Sequence, residues 1–165
     1  MAGFKNGTSS RLVSVKAIEG NFPFYGAIVT EPSDAANNYQ KLGGVIADQT
    51  LFFQFGLSIG DSIRLGTKKF ELVGQITKVS GQAGIRSAFA PIVYVPYNAL
   101  EQTDLIQPGS RVLNITYLKI NNTEKLLKTI EAEEKVITDL GFRIETVADR
   151  KKSVGRSFDN LTSFM

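Results

Sequence analysis

The chain has 165 residues, 42% hydrophobic and 21% charged, a balance that suits one globular domain of ordinary size rather than a disordered polymer. Its net charge is +3, with the basic residues scattered except around Arg150, Lys151, Lys152 and Arg156, which is not the clustered basic face with aromatic platforms of a nucleic-acid binder. Histidine and cysteine are both absent, which excludes imidazole-dependent nucleophiles, thiolates, disulfides and the usual zinc, copper and haem ligand sets.

In chain order, Arg11 to Ile18 alternates in the manner of a strand and ends at Gly20-Asn21. The aromatic cluster Phe22-Pro23-Phe24-Tyr25-Gly26 follows, then a polar stretch from Thr30 to Lys41 that reads as a surface loop or short helix. A short strand is predicted over 44–47, and Asp48 is placed to cap a helix over 49–55 that stops at Gly56. Residues 62–65 and 70–79 form a predicted hairpin around Gly66-Thr67-Lys68-Lys69. Gly43-Gly44 and the Gly60/Gly66 spacing fit neither a phosphate loop nor a dinucleotide fingerprint and read as turns.

After a glycine-spotted loop at 80–84, Ile92 to Val95 is apolar on both faces, as expected of an interior strand, and 97–101 is a short helix. The longest predicted strand is 111–120. Asn121 opens a helix with Glu124 three residues on, its apolar stripe is Leu126, Leu127, Ile130, Ile137 and Leu140, and Gly141 ends it. Phe142 and Ile144 mark a strand that would complete a strand-helix-strand unit with 111–120, a right-handed crossover if the two are parallel. Val147, Val154, Phe158, Leu161 and Met165 then fall in a heptad-like seam on a last helix. That helix either packs on its own domain or continues as a stalk. The fold class these elements predict is α+β.

No segment is a transmembrane span: the longest apolar stretch, 88–96, holds two prolines and is about half of the ~20 residues a crossing helix needs. Met1 to Gly7 lacks the apolar centre of a secretory signal. Ser-x-x-Lys, the main histidine-free way to activate a serine, does not occur. Glu131, Glu133 and Glu134 lie among Lys125, Lys128 and Lys135, the pattern of a solvated helix face rather than a ligand set. No catalytic, cofactor-binding or metal-binding residue is assigned, and the chain is not expected to be an enzyme.

Residues 12–26 (Leu-Val-Ser-Val-Lys-Ala-Ile-Glu-Gly-Asn-Phe-Pro-Phe-Tyr-Gly), 57–63 (Leu-Ser-Ile-Gly-Asp-Ser-Ile), 70–74 (Phe-Glu-Leu-Val-Gly) and 91–96 (Pro-Ile-Val-Tyr-Val-Pro) together resemble, in order and spacing, the extracytoplasmic (periplasmic) domain of FtsX/MacB-like ABC transporter permeases. The branch most resembled is that of the lysophospholipase and arylesterase export permeases. The resemblance implies a single MacB-like periplasmic core domain over 1–165, a β-rich inserted subdomain over 43–97, and a stalk helix over 147–165 leading to a transmembrane helix. It implies a non-catalytic role in mechanotransmission or export, coupling a cytoplasmic ABC ATPase to a periplasmic protein, lipoprotein or lipid, with a second permease copy as partner and the bacterial inner membrane as the site of the parent protein. No nucleic acid and no cofactor are implied. Phe22, Phe24, Tyr25 and Phe89 are the candidate partner contacts, as apolar loop residues that either meet a partner or anchor their loops. The alternative is a soluble binding module or esterase accessory protein with no membrane parent.

Overall fold

The computed structural model describes residues 2–3, 10–80 and 90–149. The fold is mixed α+β. Its strands are β1 (Ala2–Gly3), β2 (Ser10–Arg11), β3 (Ser14–Ile18), β4 (Ile28–Glu31), β5 (Val45–Asp48), β6 (Ser62–Leu65), β7 (Lys68–Val79) and β8 (Ile92–Pro96). The helices are α1 (Ala35–Leu42), α2 (Gln49–Phe55), α3 (Thr123–Ala132) and α4 (Glu134–Asp139), with 3-10 turns at Tyr97–Ala99 and Glu101–Thr103. Two compact units divide the chain, Met1–Thr116 and Tyr117–Met165.

In the first unit all eight strands form one sheet in the order β2-β1-β6-β7-β5-β8-β3, with β4 paired to β7 off this path. The twelve-residue β7 makes this possible: its first residues pair β6, its middle pairs β5 in parallel, and its end pairs β4. The 43–97 stretch supplies β5 to β8, and these strands share the sheet with β3 and β4 from outside that stretch. Side-chain alternation splits the core in two. Val45, Ala47, Val93 and Val95 turn to a cluster with Leu51 and Phe52 of α2, while Ile46, Ile92 and Tyr94 turn to one with Ala35 and Tyr39 of α1. All five residues of β8 are buried, in keeping with its predicted interior position.

Local chemistry accounts for the helix ends. Asp48 accepts a hydrogen bond from the Thr50 N–H at 2.9 Å, and α2 stops where Gly56 turns left-handed. Thr30 is buried, donates its hydroxyl to the Pro32 carbonyl and accepts from the Ala36 N–H, so it leads β4 into α1. The stretch from Thr30 to Lys41 is therefore the end of β4, a turn over 32–34 and most of α1, so the short-helix alternative holds. The predicted strand over 11–18 is two short strands, because Ser10–Arg11 pairs β1 while Ser14–Ile18 pairs β8 in parallel.

The second unit differs most from expectation. Residues 111–120 and 142–146 are in no strand, so the expected strand-helix-strand crossover is not formed. Alternation decides which way a strand's side chains point, but a strand also needs a neighbour that offers a hydrogen-bonding edge. The expected helix over 121–140 is two helices that meet at Glu133, and its cap is Asn122 rather than Asn121, with the Asn122 side chain accepting from the Lys125 N–H at 3.1 Å. Leu126, Ile130 and Ile137 of the predicted stripe are half-buried, whereas Leu127 and Leu140 are exposed. Glu131, Glu133 and Glu134 are exposed, and Lys128 pairs with Glu124 at 3.1 Å.

Residues 147–149 are helical. They open on a reciprocal cap in which Asp149 accepts from the Thr146 N–H and hydroxyl, and the Asp149 N–H donates back to the Thr146 hydroxyl. The remainder of the expected helix, 150–165, lies outside the described residues. Among the described residues no helix is long and apolar enough to cross a membrane.

Candidate interaction surface

The aromatic cluster sits on the loop from Gly20 to Ala27, between β3 and β4, and three contacts tie that loop down. At its start the Gly20 carbonyl accepts from the Gln40 side chain of α1 at 3.0 Å. In its middle Phe22 packs against the second core cluster, its ring centroid 6.2 Å from that of Tyr94. At its end the Ala27 N–H donates to the Ser80 hydroxyl and the Ala27 carbonyl accepts from the Ser80 N–H, both at 3.0 Å. Between the second and third ties the chain carries Phe24 and Tyr25, 41% and 72% exposed.

Of the four sequence-predicted contacts, the three that are described separate by exposure. Phe22 is a half-buried anchor, while Phe24 and Tyr25 form an exposed aromatic tip held by a fixed base. Phe89 lies outside the described residues. Of the seam residues Val147 is exposed, and Val154, Phe158, Leu161 and Met165 lie outside the described residues.

Under the loop, the Tyr94 ring also receives Lys16, whose Nζ lies 5.7 Å from its centroid, an arrangement that favours the cation electrostatically. Burial, reinforced by Tyr94 next to it, pushes the Tyr39 phenol up to about 12, so the phenol is neutral at physiological pH. The exposed part of this loop is the pair Phe24 and Tyr25, an apolar ring beside a ring that ends in a hydroxyl.

Phe53, Tyr97 and Phe142 are exposed aromatics that the sequence did not single out. Phe53 is 77% exposed on α2, between the buried Phe52 and the exposed Gln54. Apart from Gln54 the run Leu51-Phe52-Phe53-Gln54-Phe55 is apolar, and three phenylalanines in so short a helix leave little periodic signal to say which one faces out.

With that geometry in hand, comparison with known proteins yields one relative. Over 106 residues, 64% of this chain, it is 26% identical to an uncharacterized ABC transporter permease, YbbP, of Escherichia coli strain K12. The chain is similar to part of a permease. It spans about 13% of the length of that relative. No family model matches the chain, and no solved structure matches it.

Proposed function

We propose that this chain is the extracytoplasmic domain of an ABC transporter permease of the FtsX/MacB-like kind, a non-catalytic part that couples ATP hydrolysis by a cytoplasmic ATPase to handling of a substrate or partner outside the inner membrane. The observation that carries the reading is the 106-residue similarity to a permease. Two features support it. The sequence lacks histidine and cysteine, so a role in contact and force transmission asks nothing of it that its composition denies. The tip at Phe24 and Tyr25, held at Gly20, Phe22 and Ala27, is an apolar contact point on a braced loop. A lipid, a lipoprotein or a periplasmic protein is the occupant proposed for it, and the helix that opens at Val147 is the proposed stalk.

The test uses the absence of native cysteine in this chain. Tyr25→Cys in the parent polypeptide, with any other cysteines of that polypeptide removed, gives one thiol for a membrane-impermeant maleimide in cells whose outer membrane has been opened. Labelling with the inner membrane intact, in a parent carrying apolar runs of about 20 residues on both sides of the domain, supports the proposal. Labelling only after the inner membrane is lysed, or a parent with no such runs, overturns it.

A further inference from the structure

Four residues share one row across the sheet. Gly3 lies opposite Ser10 on β2 and opposite Arg64 on β6, and Arg64 in turn lies opposite Lys69 on β7. Residues directly opposite in antiparallel pairs share a face, and Ser10, Arg64 and Lys69 are exposed. On the other face the next row brings Arg11, Ala2, Leu65 and Lys68 into line, with Ala2 and Leu65 buried. At ~4.8 Å between strands the exposed row is about 14 Å wide.

Arg64 and Lys69 are like charges directly opposite each other, an arrangement that destabilises a strand pair. Among the described residues neither makes an ion pair. Arg64 extends over Gly3, where its Nε and Nη2 lie 3.3 and 3.4 Å from the position a Cβ would take. The missing side chain at Gly3 thus makes room for the guanidinium above β1, on the side of Arg64 away from Lys69 and in the row that also holds Ser10. Glu71 is the acid next in register on this face, opposite Ser62, and it pairs with neither cation. Lys68 is turned to the opposite face, over the Phe70 ring and bonded to Gln102.

We infer that this row is a binding site for a phosphate group. The Arg64 guanidinium supplies a planar fork of donors, Lys69 a second positive charge and Ser10 a hydroxyl, the combination that suits a tetrahedral oxyanion. A bound phosphate would also offset the two like charges that Arg64 and Lys69 place on adjacent strands. The phosphate belongs either to a phospholipid headgroup or to a free small molecule. The inference does not depend on the transporter reading.

Two titrations of the isotope-labelled chain test it, one with inorganic phosphate and one with bilayer vesicles of phosphatidylglycerol, with phosphatidylcholine vesicles as control. Movement of the Gly3, Ser10, Arg64 and Lys69 amide signals with phosphate alone supports a soluble ligand, and binding only to phosphatidylglycerol supports a headgroup. Arg64→Gln with Lys69→Gln should weaken vesicle binding by about fivefold for each charge removed. Gly3→Val keeps the net charge but fills the space under the guanidinium, so it should weaken binding as well. No response to either probe overturns the inference, as does binding that survives both the double glutamine variant and Gly3→Val.

Discussion

The carbonyl oxygen of Thr103 occupies the place where Gly66 would carry a Cβ. Gly66 itself is left-handed, at φ +60°, and the next residue completes the contact: the Thr67 N–H donates to that same carbonyl at 3.0 Å and the Thr67 hydroxyl to Asp104 at 3.0 Å. The β6–β7 turn and the 3-10 turn at Glu101–Thr103 are therefore clasped, backbone against backbone. Gly66→Ala should lower stability by at least about 2 kcal/mol, since a left-handed L-residue costs ~1 kcal/mol and the carbonyl must also move. Chemical denaturation measures this as a lower midpoint with an unchanged slope. A loss within about 0.5 kcal/mol, the scale of ordinary surface changes, would mean that the clasp is not tight in solution.

Gly74 makes a second close approach, here between sheet and helix. A Cβ there would run into the Ala35 methyl and lie 3.0 Å from Cγ2 of Ile46, so α1 lies on β7 at a distance only glycine permits. Gly74→Ala should cost about 1–3 kcal/mol by overpacking, read in the same denaturation experiment. Paired with Ala35→Gly, which returns the space, the loss should be smaller than the sum of the two single changes.

Asp48 ends β5 and caps α2 with one side chain. Asp48→Ala should cost ~1 kcal/mol, and Asp48→Asn, which keeps an acceptor in place, much less. Equal losses for the two variants would show that the negative charge matters rather than the cap hydrogen bond.

Tyr39 makes stability depend on alkaline pH. Its folded pKa, about 12, lies above the unfolded value of about 10, so the folded chain holds this proton more tightly. The contribution is complete below about pH 10 and is lost between pH 10 and 12, at a limiting slope of about 1.4 kcal/mol per pH unit. Tyr39→Phe should flatten that fall. Ultraviolet difference absorbance should show a tyrosine ionisation near pH 12 that Tyr39→Phe removes.

The aromatic loop combines a half-buried ring, Phe22, with the more exposed Phe24 and Tyr25. Phe22→Ala should cost ~1–3 kcal/mol, less than the full-core value because the ring is only half-buried. Phe24→Ala with Tyr25→Ala should cost less than Phe22→Ala, because both side chains are more exposed. On the proposed permease role, the second variant should impair transport by the parent protein without unfolding the domain. Transport equal to the parent would remove Phe24 and Tyr25 as contact residues.

What the sequence determined by itself was local: the Asp48 cap, the stop at Gly56, the hairpin after 62–65, whose return strand begins at Lys68 rather than Phe70, and the two-faced apolar run of Ile92 to Val95. Each of these depends on neighbours within a few residues or on a period of two, and that information lies along the chain. Only the tertiary structure decided partnership. It split 11–18 between β1 and β8, found β4 next to β7, and left 111–120 and 142–146 without a strand in spite of their apolar residues, because a strand exists only where another strand offers its edge. The same holds for the aromatic loop. Phe22, Phe24 and Tyr25 are adjacent and equally apolar on paper, and what separates the anchor from the tip is Tyr94, some seventy residues away in sequence and 6.2 Å away in space.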